Sequence, residues 1–407
     1  MAPVKQLSVE LPNLNALKTF PLLSVYGASE FLDQPVPAMK WLIPGLIPQA
    51  VPSVLASKGG LGKSFISLQM CICLATGKPF LDYDSPANPV GAVYFGLEDS
   101  KDTFHRRLRA IVDAYRHAGE WSKEDDIHLR NNFSAPFVNW QASNATTFLP
   151  ELLPSLERIL ATNAEYGVPP GIMIIDTLAR VSEGDENTVQ ALRPILTACN
   201  RIAHHGTTPL VLHHVGKGQD GARLKEKPTL ADRMSTEWVR GSSAIVDNFR
   251  CILQLAAIRE DEADGAGLDT EKARSGGYLV LGTTKLNSGM KGDWRFLEQG
   301  DHGAWALPPD GHETLAKLRG RKAVTALNKQ MQILTDLYEA TRCGGRANLT
   351  DLSKMHFPDR EFTKARNALD QAIHRLRKAG YLQVSGHQLT VSGVHKIQVR
   401  REEKSDA

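Results

Sequence analysis

Eight residues constrain this chain more than any others. Ser57-Lys58-Gly59-Gly60-Leu61-Gly62-Lys63-Ser64 lie between an apolar strand pattern, Val54-Leu55-Ala56, and an apolar helical pattern running from Phe65 toward Thr76. A glycine-lysine-serine string in an arbitrary loop means little; the strand before it and the helix after it give it weight. Glycines let backbone N–H groups turn inward around phosphate oxygens, and the helix N-terminus adds the positive end of its dipole. In such a loop Lys63 reaches the β- and γ-phosphates of ATP, and the Ser64 hydroxyl ligates Mg²⁺. The stretch from Ser57 to Phe65 is therefore the expected nucleotide cradle. One position departs from the motif: Ser57 stands where a glycine is expected, five residues before Gly62. The departure bears on the choice of family and leaves nucleotide binding intact.

Length and charge bound the rest. A chain of 407 residues suggests two or three domains, and 42% hydrophobic residues make its bulk globular. Met1 to Glu10 lacks the apolar core of a signal peptide, and no apolar run approaches the length of a membrane span. The five cysteines (Cys71, Cys73, Cys199, Cys251 and Cys343) form no C-x-x-C pair, which fits reduced core thiols of a cytoplasmic protein. The net charge of +3 is unevenly placed: Leu315 to Arg401 holds 17 Lys/Arg against 6 Asp/Glu, a surplus of +11 that leaves the remainder at −8. That asymmetry predicts an acidic body and a basic tail domain.

The order of patterns predicts an α/β fold. Residues 1–36 read as an arm or linker, and the prolines at 37, 44, 48 and 52 exclude a long helix there. Apolar strands at 91–97, 171–176, 209–212, 249–257 and 277–285 alternate with helical patterns at 101–118, 147–166 and 187–205. Such alternation calls for a mostly parallel sheet covered by helices on both faces, here spanning residues 37–310. Residues 311–321 read as a linker to a small α+β domain at 322–400.

In a parallel sheet, functional groups collect at the carboxyl ends of the strands. Those ends carry the phosphate loop, Glu98-Asp99, Asp176 and His213-His214. Asp176 follows four apolar residues, the pattern of an aspartate that holds Mg²⁺ through water opposite Ser64. Glu98, expected on a strand beside the phosphate-loop strand, is the first candidate for the base that activates water. Asp99 is the alternative base, or a helix cap. His213 and His214 are expected as γ-phosphate sensors, the alternative being structural histidines. His204-His205 falls at the other end of the layer, which argues against a paired-histidine zinc site. Beyond the last of these strands, Gly216 to Lys227 is long, glycine-rich and basic. Its Lys217, Arg223, Lys225 and Lys227 suit contacts with a nucleic-acid backbone, whereas the plain alternative is a surface loop.

Taken together these blocks resemble the hexameric RepA replication helicases of plasmids, within the wider RecA/DnaB-type ATPases. The resemblance covers roughly residues 38–290. It is carried by residues 57–64, Glu98-Asp99 with His105-Arg106-Arg107-Leu108, Asp176-Thr177-Leu178-Ala179-Arg180, Leu212-His213-His214 with Lys217-Gly218, Arg240 to Arg250, and Lys285-Leu286-Asn287. It implies a RecA-like core in a homo-oligomeric, hexameric ring, with nucleotide between subunits and single-stranded DNA in the channel. It further implies Arg107 beside the nucleotide base, Arg250 as the finger reaching a neighbour's γ-phosphate, Arg240 as second choice, and Lys285 as an added cation acting in trans. Asn287 stands where DnaB-type proteins carry an arginine.

The C-terminal part lies outside that resemblance. Helical patterns at 326–341, 349–355 and 364–379, followed by a hairpin pattern at 382–391, look like a winged helix. Arg366, Arg375, Arg377 and Lys378 on its third helix suit phosphate and groove contacts with duplex DNA; protein docking is the alternative. The expected function is an ATP-driven DNA helicase or translocase in the replication of a plasmid, phage or mobile element, with primase or initiator proteins as possible partners. The rivals are a ParA-like partition ATPase, whose modified phosphate loop the Lys58 to Ser64 string also fits, and a replication initiator that does not unwind.

Overall fold

The computed structural model describes residues 19–20, 23–24, 26–84, 86, 88–184, 188–215, 228–239, 243–287, 293–300 and 303–319, together with 333, 369–370 and 373. The chain divides into two units at residue 40. In the first, β1 (Thr19–Phe20) pairs antiparallel with β2 (Leu23–Ser24), and a helix spans Ala28–Leu32. The second begins with a two-stranded hairpin of β3 (Trp41–Ile43) and β4 (Ile47–Pro48). The prolines of this stretch do exclude a long helix, as their fixed φ requires.

The second unit is built on one nine-stranded sheet. Its strands are β5 (Ser53–Ser57), β6 (Ala92–Gly96), β7 (Phe133–Ser134), β8 (Ile172–Asp176), β9 (Thr208–His214), β10 (Cys251–Ala257), β11 (Tyr278–Leu286), β12 (Arg295–Gln299) and β13 (Trp305–Ala306). Their order is β13-β12-β11-β10-β5-β9-β8-β6-β7. The six strands from β10 to β7 are parallel, and β11, β12 and β13 continue antiparallel. This is the expected α/β architecture, with an antiparallel edge that the strand patterns did not announce beyond β11.

Period-two alternation divides the core. Leu55, Tyr94, Ile174 and Leu212 point into one apolar layer, with Ile66 and Ile72 of helix Lys63–Thr76 and Phe104 and Ile111 of helix Lys101–His117. Val54, Val93, Phe95, Met173, Ile175 and Val211 point into the other, against helices Leu149–Glu165 and Val189–His204. Strands buried on both faces read as nearly continuous apolar runs, which is why they were legible. Each buried leucine or isoleucine contributes about 1.5–3 kcal/mol of transfer free energy.

Local signals set the helix ends. The Ser100 hydroxyl accepts from Thr103 N–H at 3.2 Å to begin helix Lys101–His117, so the cap is Ser100 and not Asp99. Helix Lys123–Asn132, which has few apolar positions to betray it, starts at a capping box between Ser122 and Asp125. The expected linker at 311–321 includes a helix, Gly311–Leu318, whose Leu315 packs with Phe296 of β12 and Val280 of β11. The winged-helix expectation, with Arg366, Arg375, Arg377 and Lys378, lies outside the described residues.

Candidate functional site

The turn between β5 and helix Lys63–Thr76 is made by glycines that other residues could not replace without strain: Gly60 and Gly62 lie at φ +78° and +79°. Gly62 is the helix N-cap and supplies no side-chain acceptor, so the first-turn N–H groups point outward from a dipole end. This is the geometry of an anion cradle.

Lys63 closes the cradle. It is buried, and its Nζ donates to Ser57 Oγ at 3.0 Å, to the Ser57 and Lys58 carbonyls at 3.3 Å each, and to His214 Nδ1 at 3.0 Å. The serine that departs from the glycine motif thus supplies an oxygen to the lysine. Burial lowers the Lys63 ammonium to about 8, against the opposing pull of Asp176 and Glu98.

Asp176 ends β8 and is 2% exposed. Its Oδ2 accepts from the Tyr94 hydroxyl at 2.6 Å, and that hydroxyl also reaches the Ser64 carbonyl at 3.3 Å. Its Oδ1 is buried and has no hydrogen-bond partner among the described residues. Burial raises the carboxyl above its ordinary range; hydrogen bonds from Tyr94 and Ser64 oppose the shift, while the charges of Glu98 and Asp99 add to it. A carboxylate with one oriented oxygen and one orphaned oxygen, next to a serine hydroxyl, suits a hard divalent cation such as Mg²⁺. Ser64 and Asp176 are the residues that would hold it. Among the described residues no group of three or more His, Cys, Asp or Glu side chains forms a separate metal cage.

Glu98 arrives differently from the expectation. β9 and β8 lie between β5 and β6, so the strand before Glu98 is not a neighbour of the phosphate-loop strand. The carboxylate instead reaches back across that edge. Glu98 Oε1 accepts from Thr177 Oγ1 at 2.9 Å, and lies 3.9 Å from both Arg180 Nε and His214 Nε2. Asp99 is engaged by Arg107, whose Nη1 donates to its Oδ2.

The two histidines separate by strand alternation. Register pairs Ala56 with His213 and Ser57 with His214, so only His214 shares the face of Ser57 and meets Lys63. His213 lies on the other face, 2% exposed, and burial brings its imidazole down to about 4, helped by the positive charge of Lys63. Burial also lowers His214, as does Lys63, although Glu98 and Asp176 pull the other way.

Arg250 and Lys285 are not part of this cluster. β10 runs parallel to β5 with Cys251 opposite Ser53, which puts Arg250 at the end of the sheet remote from the phosphate loop, roughly 16 Å down the strand direction. Lys285 ends β11 at the same edge, where its Nζ donates to the Val246 carbonyl and Asn287 N–H donates to the Arg250 carbonyl at 3.0 Å. Arg240, Lys217, Arg223, Lys225 and Lys227 lie outside the described residues.

Sequence patterns overlooked two contributors to this edge, Tyr94 and, from the antiparallel end, Trp305, and gave no role to two more, Thr177 and Arg180. Tyr94 sits inside an apolar strand run, and Thr177 and Arg180 flank the metal-site aspartate without a motif role of their own.

Residues 19–220 match the family model described as an AAA domain. The match includes the phosphate loop, Glu98, Asp176 and both histidines, and ends before Arg250 and Lys285. Among solved structures, a DnaB-like replicative helicase described with its interactions with primase is similar at a TM-score of 0.42 and 15% identity, over 63% of this chain and 57% of that one. The present chain thus spans a little over half the length of that helicase. Among the described residues no helix is long and apolar enough to cross a membrane.

Proposed function

With a P-loop ATPase-type core as premise, we propose that the chain is an ATP-driven helicase or translocase on DNA, acting in replication of a plasmid, phage or mobile element. One observation carries this reading: Lys63, Asp176, Glu98 and His214 converge at one edge of the sheet, while the best trans-acting cations, Arg250 and Lys285, lie at the other. Among the described residues, a subunit built this way holds the water-activating half of a site at one end of the sheet and offers the cations of a trans-acting half at the other. Glu98 serves as base, Lys63 grips the β- and γ-phosphates, and His214 senses the γ-phosphate beside Lys63. Bound Mg²⁺ at Ser64 and Asp176 supplies charge neutralisation at the phosphates.

The order of roles follows the RepA-type resemblance: a homo-oligomeric, hexameric ring in the cytoplasm, ATP between subunits, and single-stranded DNA tracked by the basic loop at 216–227. Arg107 serves beside the nucleotide base, and Arg240 is the second choice for the finger. The domain at 322–400 adds duplex DNA contacts, and primase or initiator proteins are the fitting partners.

The test is ATP hydrolysis with and without single-stranded DNA, together with forked-duplex unwinding and mass measurement in ATP. A DNA-stimulated hexamer that unwinds the fork is expected. A dimer favours a partition-type ATPase, and a DNA-insensitive ATPase that binds DNA favours an initiator. Neutralising Lys217, Arg223, Lys225 and Lys227 should remove DNA stimulation while leaving basal hydrolysis.

A further inference from the structure

Trp305 of β13 brings a side chain to the phosphate loop that no motif announces. It is 4% exposed. Its backbone is held from both sides by the Gln69 amide of the phosphate-loop helix: Trp305 N–H donates to Gln69 Oε1 at 2.9 Å, and Gln69 Nε2 donates to the Trp305 carbonyl at 2.8 Å. The clamp sets the indole against the loop. A Cβ built on Gly62 would meet the ring at Cζ2, Nε1 and Cε2, at 3.4, 3.5 and 3.7 Å. The turn before Trp305 follows the same helix face, since a Cβ on Gly303 would meet Phe65 Cζ at 3.2 Å.

The indole N–H is buried yet has no hydrogen-bond partner among the described residues. A buried donor without an acceptor costs free energy, and folded proteins keep few of them. The carbonyls of the first helical turn are already engaged, Gly62 by Ile66 N–H, Lys63 by the Ser67 hydroxyl and Ser64 by Tyr94 and Ser67, and none of them accepts from the indole. A bound ligand that brings an oxygen to this side of the loop would satisfy the donor.

We propose that Trp305 is a nucleotide-contacting residue, its indole N–H donating to an oxygen of the nucleotide held at Gly59 to Ser64. The proposal rests on the nucleotide-binding reading above. It requires an acceptor oxygen beside Gly62, which a nucleotide offers as phosphate or as ribose hydroxyl. It also gives the antiparallel edge a purpose: β12 and β13 carry the donor around to a loop that sits on the central strand, and Gln69 fixes its register.

The test uses the full chain with Trp305 replaced by a tryptophan isostere bearing sulfur in place of the N–H, and separately W305F. Each is titrated with MgADP, MgATP and adenosine by calorimetry. The isostere should bind MgADP about tenfold more weakly than the wild type, the effect of losing one net hydrogen bond. Its melting temperature without nucleotide should be equal or higher, because a buried unpaired donor has gone. In the wild type, the ¹⁵N-labelled indole resonance missing from W305F should shift on adding MgADP. Weakened ADP binding with unchanged adenosine binding assigns the contact to phosphate, whereas weakening of both assigns it to ribose. Equal ADP affinity for isostere and wild type, with an unmoved indole resonance, overturns the proposal and leaves the nucleotide site standing. Absence of ADP binding by the wild type itself overturns both.

Discussion

Lys63 Nζ lies 3.0 Å from His214 Nδ1. The ammonium can only donate, so the imidazole accepts through Nδ1, and its Nε2 faces Glu98 Oε1 at 3.9 Å. His214 therefore connects the phosphate-gripping lysine to the candidate base. A nucleotide that draws Lys63 onto its phosphates must take the place of this contact. His214→Ala should accordingly keep MgADP affinity within several-fold of wild type while lowering ATP turnover by about tenfold or more. Calorimetric ADP titration beside steady-state phosphate release measures the two effects. Parallel loss of both would make His214 a binding residue and not a sensor.

Glu98→Gln should retain bound ATP but hydrolyse it about 10²–10⁴ times more slowly, the usual worth of a positioned base. Lys63→Ala should abolish hydrolysis, because Lys63 is the buried ammonium set within the phosphate loop, held at Ser57 and Lys58. Filter binding and phosphate release distinguish the two lesions. Near wild-type turnover in Glu98→Gln would shift the base role to Asp99, which Arg107 already engages.

Arg250→Ala should lose hydrolysis and keep nucleotide affinity, because the guanidinium sits at the far edge from its own phosphate loop. Mixing it with Lys63→Ala protein should restore part of the activity at hybrid interfaces. Normal assembly without any rescue would count against a shared site, and the same assay on Arg240→Ala ranks the second candidate.

His213 makes a stability forecast of definite sign. Its folded-state value of about 4 lies below the ordinary 6.5, so an unfolded chain takes up the proton first as pH falls. The neutral buried form is fully favourable above about pH 6.5, and its contribution is lost as pH drops from there toward 4. At pH 5 the loss amounts to about 2 kcal/mol. Denaturant melts of wild type and His213→Gln at pH 7 and pH 5 read it directly: the variant should lose about that much less on acidification. Identical pH dependence in both would assign the acid sensitivity to other groups.

Much of this molecule could be read from its residues, and the exceptions share a cause. Strands β5, β6, β8 and β9 are buried on both faces and so appear as apolar runs, with the chemistry at their ends. Lys63, Glu98, Asp176 and His214 do meet at one edge. Strand order was not accessible, because nothing in Glu98's neighbourhood says that two strands separate it from Ser57. His213 and His214 look equivalent in the chain, and only register tells which one shares the lysine's face. Trp305 is invisible for a deeper reason: it reaches the loop through Gln69, 236 residues earlier, and no local pattern encodes so distant a clamp.

The remoteness of Arg250 from the phosphate loop also limits the symmetry open to an assembly. If Arg250 completes a neighbour's site, two unlike surfaces must meet, one from each end of the sheet. A two-fold dimer joins like surfaces and would leave both active edges facing each other or both facing away. Joining unlike surfaces is heterologous, and it either closes into a ring or runs on as a filament. The subunit then has a polarity built into its central strand, and every copy adds to the last in the same sense.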